Sequence, residues 1–431
     1  MTTSLTRLAL LVFGCAVFLA SPAFAQNTDR AAEIRVALEE GARYLADTYL
    51  DERGMGRGDY DLQAGTWHEY EPAWHTGQSI YGLLGAHEAL GEAWILDAAR
   101  RGGDWWTSLA IDAHDPAPGG VDLTGYVAAV HGDNVGDRIN FTTIADGTPG
   151  LFRLWRATGD TTYAAVPTSA AAWAIEHLYL PEAGLLYDLV DVHTGEIWTD
   201  RSPFFEAPLE LKHVARPNNE GFLFYDAYRY SGDDQYREVF VALCESLVEK
   251  QSDSGLWEEV HPNKPQGDGP NEHPLGYAHP RVNTWYAESL VHCFDLTGDR
   301  RYLDAAVRTA RATERWQTRD GRIFYRNFLD GTEDRSSITG SAVSFAGILW
   351  LMLQERGVSE FDDAIERSIE WVLANRFAAD HPDPNLRGAF FETRARRDGP
   401  RVWLRVRGIA TAFGLRLLSD YYQAHVAEGA K

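Results

Sequence analysis

Apolar and polar positions alternate along this chain in a repeated two-part unit. Four segments share it: GLLGAHEALGEAWILDAA from 82, LFRLWRATGDTTYAA from 151, FLFYDAYRYSGDDQYRE from 222 and LVHCFDLTGDRRYLDAA from 290. Each is an apolar helix, a break at glycine with an acid or Thr close behind it, and an amphipathic helix. The breaks fall at Gly91, Gly159, Gly232 and Gly298, which are 68, 73 and 66 residues apart. Glycine tolerates the left-handed conformation that ends a helix. An acid or Thr after it suits the cap of the next helix, and an acid's charge complements that helix's positive end. Over 281–297, Val282, Tyr286, Leu290, Cys293, Phe294 and Thr297 follow a three/four spacing, and Trp285, Ala287 and Val291 widen the apolar surface. That helix should be buried on most sides. Over 300–314, Arg300, Arg301, Asp304, Arg308 and Arg311 form a polar face, so its partner should be half exposed.

Buried helices alternating with amphipathic ones predict a ring of helical hairpins. A fifth pair is legible at 336–354 and 359–376. A sixth forms if a helix near 30–50 closes against one near 404–424. The fold class expected is all-α, an (α/α)6 toroid with an inner and an outer ring. The connections between pairs run to about 20–40 residues, longer than helical bundles use, which marks them as candidate functional loops.

Each inner helix is preceded by a distinctive string: TWHEYEPAWHTGQ (66–78), GDRINFTTIADGTP (136–149), LKHVARPNNEG (211–221), YAHPRVNTWY (277–286), DRSSITGSA (334–342) and VWLRVRG (402–408). If the inner helices run parallel, all six strings converge on one mouth of the ring. Aromatic faces, Arg, His, Asn and a carboxylate in one funnel suit an acidic sugar: rings stack on the sugar, and Arg grips a carboxylate with two hydrogen bonds. The candidate substrate-binding residues are Trp74, His75, Asn140, Arg216, Asn218, Asn219, Arg281, Asn283, Trp285 and Arg405. The candidate catalytic residues are Asp146, His213, His279 and Tyr286. Each also has a plainer use. Trp74 and Trp285 suit a core, Arg216 and Arg281 suit structural ion pairs, and the histidines suit polar loops. Asn218-Asn219 and Ser336-Ser337 suit helix caps. Asp146 has two readings. With Thr148 as cap and Pro149 as first helical residue, Asp146-Gly147 is a turn. In an enclosed aromatic site it is instead a general acid with a raised pKa.

The net charge of −23 narrows the partners. It excludes nucleic acid and anionic membrane as natural surfaces for this chain, so an acidic ligand must be met by locally placed Arg or His. Residues 1–25 have the form of a cleaved secretory leader. Arg7 precedes an apolar run from Leu8 to Ala20, and Ala23-Phe24-Ala25 is a cleavage site before Gln26. The run is too short to span a bilayer. A periplasmic or secreted protein is expected, with the toroid over 26–431. Beyond the leader only Cys244 and Cys293 remain, as two buried thiols or a disulfide. No Cys or His spacing suggests zinc, and no cofactor or metal is expected.

The run from Asp146 onward resembles the six-hairpin glycosidases, and within them the unsaturated rhamnogalacturonyl and glucuronyl hydrolases. Pro149 to Asp160 matches their inner helix ending in Thr-Gly-Asp. Gly184-Leu185-Leu186-Tyr187, Ala215-Arg216-Pro217-Asn218 and Gln251 through Trp257 match three later turns. In that family the acid stands about two turns before the proline, whereas Asp146 stands three residues before it. Arg281 to Trp285 repeats the family's Arg-x-Asn-x-Trp form. The resemblance implies hydrolysis at a terminal unsaturated uronic acid: an Asp protonates the vinyl ether and directs water onto it, without a metal, while Arg, His and Asn hold the carboxylate. Two other readings stay open. A uronate lyase or C5-epimerase would use Asn218, Asn219, His213, His279, Tyr277 and Tyr286. A non-catalytic ring would only bind glycans.

Overall fold

The computed structural model describes residues 22–132, 135–203, 205, 208–217, 219–257, 265, 267, 274–392, 394–398 and 401–427; residues 22–29, 336–337, 394–398, 401–403 and 427 are described by backbone alone. The first 21 residues of the expected leader, and Asn218, lie outside the described residues.

Twelve long helices carry the fold: α1 (Pro22–Arg43), α2 (Pro72–Leu90), α3 (Ala93–Thr107), α4 (Phe141–Thr158), α5 (Thr162–His177), α6 (Leu223–Ser231), α7 (Asp234–Lys250), α8 (Pro280–Thr297), α9 (Arg300–Glu314), α10 (Gly340–Glu355), α11 (Asp362–Ala374) and α12 (Gly408–Tyr422). Successive pairs pack as hairpins, α2 with α3 through α10 with α11, and α1 packs on α12 as the sixth. The even-numbered helices form the inner ring, which closes where α12 packs on α2. The all-α toroid is therefore present with its six hairpins. Gly91, Gly159, Gly232 and Gly298 all end inner helices in the left-handed conformation. Asp233 and Asp299 then cap the next helices by accepting from Gln235 N–H and Arg301 N–H. The inner helix α8 is buried on most sides, and α9 buries one face only.

The connections differ from the loops expected. Each of the six mouth strings enters its inner helix from a short strand: 66–68, 136–140, 215–216, 277–278, 333–338 and 401–407. These strands join four small antiparallel sheets, the largest in the order 394–398, 401–407, 59–61, 66–68. Hydrogen-bonded strands hold the mouth residues where free loops would not. The cap of α10 is Thr339, which accepts from Ala342 N–H; Ser336 and Ser337 belong to the strand before it. Cys244 and Cys293 are buried free thiols. Among the described residues, no helix is long and apolar enough to cross a membrane.

Candidate active site at the mouth of the ring

The site begins with two helices that touch backbone to backbone. A Cβ on Gly77 of α2 would lie 2.0 Å from the carbonyl oxygen of Gly147 on α4. The Gln78 amide of α2 donates to the carbonyl of Asp146. Asp146 is therefore not in a turn. Helix α4 starts two turns earlier than expected, where Asn140 Oδ1 accepts from Thr142 N–H at 2.9 Å. Pro149 sits inside the helix and cannot donate to the carbonyl of Ala145. The hydroxyl of Thr148 takes over, at 2.9 Å. The Thr-Pro pair that reads as a helix start is an internal repair.

Asp146 is 5% exposed, and its Oδ1 has no hydrogen-bond partner among the described residues. Burial, and then the charge of Glu220, push its carboxyl well above the usual range. Glu220 is brought there by Gly221, whose φ of +71° favours glycine and whose Cβ would lie 2.2 Å from the carbonyl of Ala145. Arg216 lies 3.4 Å from Glu220 and 3.8 Å from Asp188, and donates to the Thr142 hydroxyl. Burial raises Glu220 as well, although Arg216 opposes it. Burial and the charge of Glu220 likewise hold the Tyr286 phenol protonated.

The other half of the site is built on α2, α8 and α12. His75 is 2% exposed; its Nδ1 bonds the Tyr49 phenol at 2.8 Å and its Nε2 lacks a partner among the described residues. Trp74 stands beside it, with the guanidinium carbons of Arg281 and Arg407 at 5.6 Å and 5.5 Å from its ring. Arg407 bonds Asp59 at 3.0 Å, and Arg405 lies 3.8 Å from the same carboxylate. Arg281 differs from both: it is 8% exposed and makes no ion pair or hydrogen bond with its guanidinium among the described residues. A buried cation without a partner is costly unless a ligand completes it. Glu71, before Pro72, holds a left-handed φ of 44° and lies 3.1 Å from His131 Nε2. Burial would raise its carboxyl, but His131, with help from Arg281, holds it below the usual range. His279 Nε2 meets the Tyr325 phenol at 3.2 Å.

Several expected binding residues are spent on structure. Asn283 donates to the carbonyl of His279 at 2.8 Å and accepts from Trp257 N–H at 2.7 Å, so both ends of its amide are used on backbone. Asn140 caps α4. The Asn219 amide donates to Cys244 Sγ at 3.2 Å, toward the outer ring. Trp285 packs with Phe345 and Phe413 in an aromatic cluster within the inner ring, although its indole N–H has no partner among the described residues. His213 is half-buried on the one-turn helix Leu211–Val214, just before the strand that carries Arg216. Among the described residues, no group of three or more His, Cys, Asp or Glu forms a metal cluster.

No protein-family model matches the chain, and no curated protein matches its sequence. Solved structures do match. Cellobiose 2-epimerase from Bacillus thermoamylovorans B4167 superposes with a TM-score of 0.67 at 16% identity, over 92% of this chain and 99% of that one. D-mannose isomerase gives 0.63 at 15% identity, over 94% and 100%. Unsaturated glucuronyl hydrolase from Bacillus sp. GL1, described as responsible for the degradation of glycosaminoglycan, gives 0.60 at 13% identity, over 93% and 97%. The fold shared with these structures is the ring of six helical hairpins. The six-hairpin ring explains why the strings converge, since every inner helix delivers its N-terminus to one end. It does not by itself single out Glu71, Glu220, Asp59, Tyr49, Tyr325 or Arg407. With 63 acidic residues in the chain, a lone Glu or Asp stands out only through its neighbours. Glu71 did carry a signal, an acid directly before the proline that opens an inner helix.

Proposed function

We propose that this chain is an exported glycoside hydrolase acting on oligosaccharides that carry a uronic acid, with a terminal unsaturated uronate as the preferred group. One observation carries the reading: Asp146 and Glu71 are two carboxyls whose surroundings move their proton affinities apart, one up and one down. Such a divided pair assigns an acid and a base at neutral pH. Asp146 gives its proton to C4 of the C4=C5 double bond. Glu71 accepts a proton from the water whose oxygen bonds to C5. The hemiketal formed at C5 then opens, and the rest of the saccharide leaves as an alcohol. Arg281, the buried guanidinium without an ion pair, receives the carboxylate of the sugar, and Trp74 and Tyr325 flank it. The leader at 1–25 supports export to the periplasm or beyond.

A second reading has its own support. The His279–Tyr325 pair offers an imidazole and a phenol in contact, which suits proton removal and return at C5 in a lyase or epimerase. Ultraviolet absorbance of the conjugated uronate separates the two. The purified protein, given lyase-treated and intact polyuronates, should consume the absorbance; a rise would mean a lyase, and an unchanged signal with an altered sugar an epimerase. Asp146→Asn should reduce hydrolysis by about 10²–10⁴-fold, the usual range for a lost general acid. Full activity in that variant would remove Asp146 from the chemistry.

A further inference from the structure

The proton on His75 can be located from its surroundings. Tyr49 ends the wide-turned segment Tyr44–Tyr49 that continues α1, and its phenol reaches across to His75 Nδ1 on α2. The ring is held from the other side by α12, where a Cβ on Gly408 would lie 2.2 Å from it. The Tyr49 phenol is fully buried, and among the described residues His75 Nδ1 is its one hydrogen-bond partner. If the phenol accepted a hydrogen from Nδ1, its own hydrogen would be left buried and unpaired. The O–H of Tyr49 therefore donates to Nδ1, and the imidazole proton is left on Nε2. That Nε2 is the atom with no partner among the described residues.

We propose that Tyr49 is a positioning residue that fixes His75 as a neutral imidazole presenting Nε2–H to a sugar oxygen, so that His75 donates a hydrogen bond and carries no proton in the reaction. The inference rests on the assignment of acid and base to Asp146 and Glu71, because it withdraws His75 from that work. The charged groups acting on His75 are Asp59 and Glu71, which favour its charged form, and Arg281 and His131, which oppose it. The rings of Tyr49, Tyr70 and Trp74 enclose it. Burial, the largest influence, holds the imidazole below its usual pKa.

The test uses the full chain with ¹⁵N-labelled histidine and long-range proton–nitrogen NMR. The His75 signals are identified by their loss in His75→Gln. Nε2 should appear protonated and Nδ1 unprotonated at neutral pH, and the ring should take up a second proton only below the range of a free histidine. Tyr49→Phe should release the tautomer and lower kcat/KM about tenfold, the worth of one hydrogen bond. His75→Gln keeps an N–H donor near the Nε2 position and should retain more activity than His75→Ala. A wild-type spectrum with the proton on Nδ1, or a ring that gains its second proton at or above the range of a free histidine, overturns the proposal whether or not any variant folds. Because the tautomer is read without substrate, a protein that hydrolyses no uronate would overturn the functional reading and leave this result standing.

Discussion

Deep in the ring, Arg416 on α12 meets Glu288 on α8, and nearer the surface Arg153 on α4 meets Glu88 on α2 and Arg356 meets Asp295. At the mouth, Arg281 on α8 meets two aromatic rings and no carboxylate within ion-pair distance among the described residues. The same contrast holds for two buried aspartates. Asp226 on α6 lies 3.3 Å from Arg156, whereas Asp146 on α4 has an oxygen without a partner. Residue type is shared between the two regions; the ion pair is not. Burying an arginine or an aspartate is tolerable when the fold supplies the opposite charge. Where it does not, a ligand can supply it. Buried charges without an ion pair at one end of the ring are thus a better pointer to the site than residue types alone.

Breaking a pair deep in the ring should cost the most. Glu288→Ala leaves the Arg416 guanidinium buried with only Asp420 nearby, at 3.6 Å, and should destabilise the protein by about 3–5 kcal/mol in chemical denaturation. Retained stability would mean that the deep network contributes less than its geometry suggests. A smaller effect is expected at Asp226, whose carboxyl is pushed up to about 6 by burial, against the pull of Arg156. The folded state then binds a proton more readily than the unfolded chain. Stability should therefore fall as pH rises from the ordinary carboxylate range to about 6, by roughly 2 kcal/mol for this group. Asp226→Asn should flatten that decline in denaturation midpoints measured from pH 4 to pH 7. The smallest change in stability is expected at the mouth. Arg281→Met removes a buried charge that has no ion pair, so its free energy of unfolding should be unchanged or raised by about 1 kcal/mol. Its KM for a uronate substrate should nevertheless rise strongly. A large loss of stability in Arg281→Met would erase the contrast between the two regions.

The hairpin ring was legible because two local signals agree. A three/four apolar spacing marks each inner helix, and a glycine with an acid or Thr after it closes the unit. The mouth was legible as a place but only partly as a set of residues. Asp146 read as a turn because Asp-Gly-Thr-Pro is turn chemistry, and the sequence gives no direct sign that Thr148 substitutes for the hydrogen bond Pro149 cannot make. Asn140, Asn219 and Asn283 looked like binding groups because asparagine suits both sugars and helix ends; here the backbone and Cys244 claimed them. Arg405 and Arg407 stand two residues apart and both meet Asp59, so the acid that holds them lies more than 340 positions away, at a separation of 346 and 348. Such long-range partners leave no local trace.

The glycine contact between α2 and α4 has a practical consequence. With Gly77 and Gly147 facing each other, main chain lies on main chain, and the distance between the helices does not depend on the size of any side chain there. The mouth residues of both helices, Trp74 and His75 on one and Asp146 on the other, are mounted on what is effectively one rigid bracket. Changes to those side chains should therefore leave the spacing of the two helices as it is, provided the two glycines stay.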